Sequence, residues 1–353
     1  MTVASNSGIE WTDATWNCLA GCQAVSPGCR ICYAATMTRR LEAMGQKDYA
    51  GLTTKKHFNG VVRCLPDKLT IPLRWKKPRR VFVNSMSDLF HEDVPDEFID
   101  RVFAVMALCP QHTFQVLTKR AERMREYATS RTEAQKLTAA FSIPNPKTGG
   151  ICDVTEEIRL SEWYGGVLPN VWLGVSAEDQ QRASERIPLL MDTPAAVRFV
   201  SAEPLLGPID LQNLSVPGDT GFYSLDALNR QWRGRITRDI PPGALIGGLD
   251  WVIVGGESGH GAKPMHPDWA RSLRDQCQRS GVAYCFKQWG AWSQVGSRGQ
   301  YCFNPGASIR DLITMDRVGK KKAGRLLDGR EWNEMPTQRL DRLSTAAAST
   351  ATS

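Results

Sequence analysis

Six short apolar runs, most followed by a stretch of helical spacing, constrain this chain more than any other feature. They are Arg80-Val-Phe-Val-Asn84, Thr113-Phe-Gln-Val-Leu117, Val171-Trp-Leu-Gly-Val175, Val197-Arg-Phe-Val-Ser201, Trp251-Val-Ile-Val-Gly255 and Ala283-Tyr-Cys-Phe-Lys287. Runs this apolar, without strict alternation, mark strands covered on both faces. Among the intervening helices, Asp96 to Leu108 puts Phe98, Val102, Val105 and Met106 on one stripe, with Pro95 at its start. Asp179 to Met191 and Pro267 to Ser280 follow strands in the same way, the second stopping at Gly281. Such alternation predicts parallel βα units.

A doubly wound sheet and a (β/α) barrel both satisfy that pattern. No Gly-x-Gly-x-x-Gly follows the first run, which weakens the dinucleotide-binding version. The strand ends favour the barrel. They carry Asn84, Ser85 and Asp88; Thr118 and Lys119; Ser176 and Glu178; Ser201 and Glu203; Glu257 and Ser258; Lys287 and Gln288. In a barrel such mouths line one shared cavity where the chemistry sits, although strand ends are also polar simply because they meet loops. Two long connections, about 129–168 and 208–248, read as functional or disordered insertions. The expected organisation is a single barrel domain over 1–292 with an N-terminal cysteine loop. A C-terminal extension over 293–342 follows, with Leu327-Asp-Gly-Arg330 as a hairpin turn, and then a disordered small-residue tail over 343–353.

No stretch reaches the roughly 18–20 apolar residues needed to span a bilayer, and Met1 to Glu10 lacks the order of a secretory signal. A cytoplasmic protein without membrane contact is expected. Forty-four Lys and Arg against 37 Asp and Glu give +7, which suits a nucleic-acid or phosphate-bearing partner without requiring one. Ten cysteines in a reducing compartment should not form disulfides. Four of them, Cys18, Cys22, Cys29 and Cys32, lie within fifteen residues.

That cluster is the strongest chemical signal. The spacings are x3, x6 and x2, and Pro27-Gly28 makes a turn that can swing Cys29 and Cys32 toward Cys22. Thiolates converging on a loop bind a soft metal, either zinc or an iron–sulfur cluster. All four could close a structural zinc site on a non-catalytic nucleic-acid-binding protein. Cys22, Cys29 and Cys32 alone could hold a [4Fe–4S] cubane with one iron left open, ahead of a helix from Tyr33 to Met44.

The segments Ile9-Glu-Trp-Thr-Asp-Ala-Thr-Trp-Asn17, Gly21-Cys22, Ser26-Pro-Gly-Cys29 and Cys32-Tyr-Ala34 resemble the opening of an uncharacterised phage-associated three-cysteine-motif protein family. Ser201-Ala-Glu-Pro-Leu-Leu-Gly207, Trp251 to Gly259, Lys287-Gln-Trp-Gly290 and Gly324 to Arg330 extend the resemblance over nearly the whole chain. That family is similar to radical S-adenosylmethionine enzymes. The similarity implies a partial, TIM-like barrel of about six βα units, of (β/α)6 type, with a [4Fe–4S] cluster held by three cysteines after the first strand. It also implies S-adenosylmethionine on the open iron, reductive cleavage to a 5′-deoxyadenosyl radical, and an electron donor as partner. Cys22-x6-Cys29-x2-Cys32 departs from the usual x3 and x2 spacing, and Gly255-Gly256-Glu257 follows a late strand where such enzymes carry Gly-Gly-Glu after an early one.

Other residues could serve the same mouth. Glu203 and Glu257 end neighbouring strands and could bind an amino group, a ribose diol or a metal, or share a proton; the plainer reading is a loop cap and a solvated carboxylate. Lys287 would be costly if buried unpaired, so pairing with Glu203 or Glu257, or a grip on a carboxylate or phosphate, is expected. Together these three are the candidate catalytic residues. Asn84, Ser85, Asp88, Glu178, Gly255 and Gly256 are the candidate cofactor-binding set. The five histidines show no metal-binding spacing. Basic residues cluster in Arg74 to Arg80, Lys119 to Arg125 and Lys320 to Arg325; Trp75 in the first is the mixture that grips single strands, although a solvated face is the commoner explanation. Trp289 and Trp292 could stack on a base or close the bottom of the barrel.

Overall fold

The computed structural model describes residues 7–131, 139, 142–152, 167–215, 223–234, 248–294, 299–303 and 313–337. Its centre is a seven-stranded parallel sheet in sequential order, curled into a half-barrel with helices interleaved. The strands are β1 (Ala14–Trp16), β2 (Arg80–Val83), β3 (Thr113–Thr118), β4 (Val171–Ser176), β5 (Val197–Ala202), β6 (Trp251–Gly255) and β7 (Ala283–Gln288). Their helices are α1 (Tyr33–Ala43), α2 (Asp96–Ala107), α3 (Ala121–Ser130), α4 (Gln180–Met191) and α5 (Pro267–Ser280). Among the described residues no helix is long and apolar enough to cross a membrane. The partial TIM-like barrel is therefore what the chain forms, with one strand more than the six apolar runs indicate.

Alternate strand residues feed two cores, which is why both faces read as apolar. Val81, Val83, Phe114, Val116, Leu173, Val200, Val252, Val254 and Phe286 face the helices. Phe82, Trp172, Phe199, Trp251, Ile253 and Cys285 turn to the other face and enclose Trp11. Trp11 and Trp172 each meet Trp251 edge-on at 6.0 Å, and the three plug the N-terminal end of the half-barrel. Trp289 and Trp292 do not do that work: their indole N–H groups donate to Leu326 O and Ala262 O near the opposite end. Gly174 faces Phe199, whose ring would lie 2.6 Å from an added Cβ. Gly174→Ala should therefore cost about 1–3 kcal/mol by overpacking, read as a lower urea midpoint with an unchanged slope.

The local signals behave as their chemistry dictates. Gly281 ends α5 at φ +64°, and its N–H donates to Cys277 and Gln278 carbonyls. Asp179 caps α4 by accepting the Arg182 N–H at 2.8 Å. Leu327 and Arg330 bridge across Asp328 and Gly329, both at positive φ, as a tight hairpin requires. The 208–248 connection is not a bare loop. Within it, Leu214–Ser215, Tyr223–Asp226 and Gln231–Gly234 form a three-stranded antiparallel sheet. Most of 129–168, parts of 208–248 and all of the 343–353 tail lie outside the described residues. Beyond β7, Trp292–Ser293, Tyr301–Cys302 and Thr314–Arg317 make another three-stranded sheet.

Candidate metal centre at the sheet mouth

The connection from β1 begins at the C-terminal end of the sheet. Leu19–Ala20 pairs with Arg63–Cys64, and Gly21 bridges to Ser87 beyond β2. The chain then runs as a short loop through Cys22 and Cys29 to Cys32, the N-cap of α1. Two carboxylates from different strand ends strap this loop across the mouth. Glu178, fully buried after β4, accepts the Gly28 N–H at 3.0 Å. Glu257, after β6, accepts Arg30 Nη2 at 3.2 Å and the Lys263 N–H at 2.7 Å. Residue 28 must be small: a Cβ there would sit 3.2 Å from the Glu178 carboxyl carbon and 3.3 Å from Lys119 Nζ.

Burial inside this network changes the acid–base character of its members. Glu178 would be raised by burial, but Lys119, the Ser26 hydroxyl, the Gly28 amide and Arg186 overcome that and hold it down at about 2. Burial pushes the Cys22 thiol up to about 12; Asp88 adds to this and Arg120 opposes it, its Nη1 lying 3.9 Å from the sulfur. Cys32 is also raised by burial, against the pull of the Ala35 and Ala34 amides at the start of α1. All three thiols are carried on this one loop, Cys29 in its 3-10 turn and Cys32 at the start of α1.

Cys18 stands apart. It is fully buried in the helix-side core, its thiol 3.5 Å from Asn84 Oδ1, next to the pairing of Leu19 with Cys64. Among the described residues no three Cys, His, Asp or Glu side chains close on a single metal position. A tetrahedral zinc at about 2.3 Å from each sulfur would pull its thiolates into mutual contact. A cubane does not, because each cysteine binds a different iron. The donor set present, three thiols on one loop with Arg120 and Lys119 beside it, has the chemistry to hold either group.

The remaining mouth residues mostly build the rim. Asn84, at φ +57°, accepts the Cys18 and Leu19 N–H groups through Oδ1 and so fixes where β1 turns off. Ser85 donates to Asn17 Oδ1 and its carbonyl accepts the Tyr33 hydroxyl at 2.6 Å. Asp88 accepts from Thr118 Oγ1, the Lys119 N–H and Arg120 Nη1, which docks the exit of β2 onto that of β3. Glu203 accepts Lys287 Nζ at 2.8 Å and Gln288 Nε2 at 3.1 Å, so the expected partner of Lys287 is Glu203, not Glu257. Gly255 faces the Glu203 carboxyl, and Gly256 passes against the Trp289 carbonyl. These close approaches account for both glycines without a ligand.

Sequence reasoning missed the cations that neutralise this rim: Arg30, Arg120 and Arg186, together with the pairing role of Lys119. The signal was present in Arg186, a charge inside the apolar stripe Ala183, Ile187 and Leu190. Trp75 is no open platform, being half-buried against the core with His112 edge-on at 5.7 Å and Arg79 over its ring. Four atoms of mouth residues, Asn84 Nδ2, Glu257 Oε1, Gln288 Oε1 and Arg120 Nη2, are buried with no partner among the described residues. Orphaned buried polar atoms are costly in a finished protein and mark places where a further group would be satisfied.

Fold and rim together define a class: a partial α/β barrel with a three-cysteine loop strapped over its C-terminal strand ends. Within that class, the chain belongs to the family described as a protein of unknown function (DUF5131), which matches residues 6–336. Comparison with curated proteins and with solved structures returns no match.

Proposed function

We propose that this chain is a radical S-adenosylmethionine-like enzyme that modifies or repairs a nucleic acid or a nucleotide, with Cys22, Cys29 and Cys32 holding a [4Fe–4S] cluster. One observation carries the reading: the three thiols sit on a single loop that Glu178 and Glu257 fasten over the mouth of the half-barrel, where barrel enzymes keep their chemistry. The fit rests on the three thiols of the loop and on the unpartnered rim atoms. When bound, the cluster and S-adenosylmethionine would supply one-electron chemistry that no side chain can perform.

The protein's own contribution follows from its geometry. Arg120 beside Cys22 and Lys119 near Cys32 partly offset the burial that raises both thiols, and so ease the proton loss that metal binding requires. The Trp11–Trp172–Trp251 plug keeps water from entering through the N-terminal end. Lys287 holds the Glu203 carboxylate in place at 2.8 Å, its oxygens set to accept hydrogen bonds from an amino group or a ribose diol. Glu257 holds Arg30 and retains one free oxygen for the same purpose.

Anaerobic reconstitution with iron and sulfide tests this. The expected result is a broad visible charge-transfer absorption with iron and sulfide in equal amounts. It should be lost in Cys22→Ala, Cys29→Ala and Cys32→Ala and kept in Cys18→Ala. Addition of a strong reductant and S-adenosylmethionine should then release 5′-deoxyadenosine. Protein that takes up zinc but no iron, and loses it in Cys18→Ala, would establish a structural zinc site instead.

A further inference from the structure

Charge is distributed very unevenly along this chain. The connection between β1 and β2, residues 17–79, carries twelve Lys and Arg against three Asp and Glu, a net +9. Everything else carries 32 against 34, a net −2. A modest total of +7 therefore conceals a polycationic segment on a slightly acidic body. The segment also holds the cysteine loop.

Little among the described residues neutralises it. Among the described residues, Arg30 pairs with Glu257 and Lys68 with Asp48. Arg39 and Arg40 on α1, Lys47 just beyond it, and Lys55 and Lys56 in the following hairpin are exposed with no carboxylate partner among the described residues. An ordinary solvated face intersperses both signs. This one does not, and it folds as one piece: Ala34, Tyr49, Leu52 and Leu65 share a small core that Leu41 and Phe58 flank. Uncompensated positive charge on a fixed surface is the footprint of a phosphate backbone.

The second observation is Tyr33. It is the first residue of α1, directly after Cys32, and its hydroxyl is tied to the Ser85 carbonyl at 2.6 Å. Its surface is nevertheless 56% exposed. A ring anchored by its own hydroxyl and left open to solvent is a rigid platform, and Met37, one turn along, extends it. Stacking of a base on such a ring is worth about 1–3 kcal/mol and needs a base free of its duplex partner.

We propose that the β1–β2 connection is a docking surface for single-stranded nucleic acid, with phosphates along Arg39, Arg40, Lys47, Lys55 and Lys56 and one unpaired base stacked on Tyr33 beside Cys32. The meaning of that base's position rests on the enzymatic reading above; the binding itself does not, since neither the charges nor the ring needs the cluster.

Fluorescence anisotropy with a labelled single-stranded oligonucleotide and the full chain, before and after reconstitution, tests the proposal. Binding should weaken with salt, with a logarithmic slope of about −0.7 for each phosphate neutralised. Arg39→Gln with Arg40→Gln should make that slope shallower by roughly 1.4. Tyr33→Ala should weaken binding about 5- to 150-fold with the slope unchanged, and Tyr33→Phe should keep most of the affinity. Lys321→Gln with Lys322→Gln, a basic pair outside the connection, should change neither. No binding at low salt would overturn the proposal. So would equal affinity for duplex or for phosphatidylcholine–phosphatidylserine vesicles, or a Tyr33→Ala variant that binds like the parent. Oligonucleotide binding without iron uptake would leave this surface standing and remove the enzymatic reading; a cluster without oligonucleotide binding would do the reverse.

Discussion

Glu178→Gln is expected to lower the unfolding free energy by about 3–5 kcal/mol, because it leaves buried cations with no counter-charge. Arg186 lies 3.1 Å and Lys119 3.4 Å from the carboxylate, and the Arg186 side chain is only 7% exposed. An amide can still accept the Gly28 N–H, but it cannot balance two positive charges. The parent protein should show the matching pH dependence. The folded-state value of Glu178 is depressed from 4.5 to about 2, so its stabilisation is complete above 4.5 and is lost as pH falls toward 2. A shift of that size corresponds to roughly 3 kcal/mol. Urea midpoints measured across this window should fall steeply for the parent and less steeply for Glu178→Gln; parallel curves would mean that Glu178 does not carry the charge balance. The variant should also free the Ser26–Cys29 turn, so metal uptake should suffer even where the fold survives.

The same residue shows what a sequence does and does not disclose. The six longer strands were legible because each lies between two apolar layers, so every position in the run is selected for burial. Strand β1 was not, because it has three residues and pairs only with β2, too short to show a period. Helix α3 was hidden for a different reason. Only Ala121, Met124 and Tyr127 are buried, and the arginines and glutamates between them read as a basic patch. At the mouth, the polar strand ends stood out, whereas their partners did not. Pairing of Glu178 with Lys119 spans 59 positions, and pairing of Glu257 with Arg30 spans 227. Such pairs are set by the curl of the sheet, and no local pattern encodes them. The cysteine loop was legible as a donor set. That Cys18 belongs to the core instead depends on Asn84, 66 residues away, holding the chain at its turn.

Gly256→Ala should be severely damaging at the rim by a purely steric route, at about 3 kcal/mol or more. A Cβ at residue 256 would lie 2.0 Å from the Trp289 carbonyl oxygen, and one at Gly290 would lie 2.2 Å from the Glu257 carbonyl oxygen. The exits of β6 and β7 therefore cross back to back, each passing where the other's side chain would be. The crossing is tied by the Gly256 N–H to Gln288 O and the Ala291 N–H to Glu257 O, both at 2.9 Å. Neither neighbour is a flexible side chain, so relief requires the two strand ends to separate. Gly255→Ala is the internal control. Its Cβ would meet the Glu203 carboxyl at 3.1 Å, a side chain able to shift by a few tenths of an ångström, and its cost should stay near 1 kcal/mol. A larger loss of urea midpoint in Gly255→Ala than in Gly256→Ala would contradict the crossing as the reason for the second glycine. If the order holds, Glu257 is positioned by backbone that cannot yield. Its grip on Arg30, and through it on the cysteine loop, then belongs to the rigid scaffold rather than to a loop that forms when a ligand arrives.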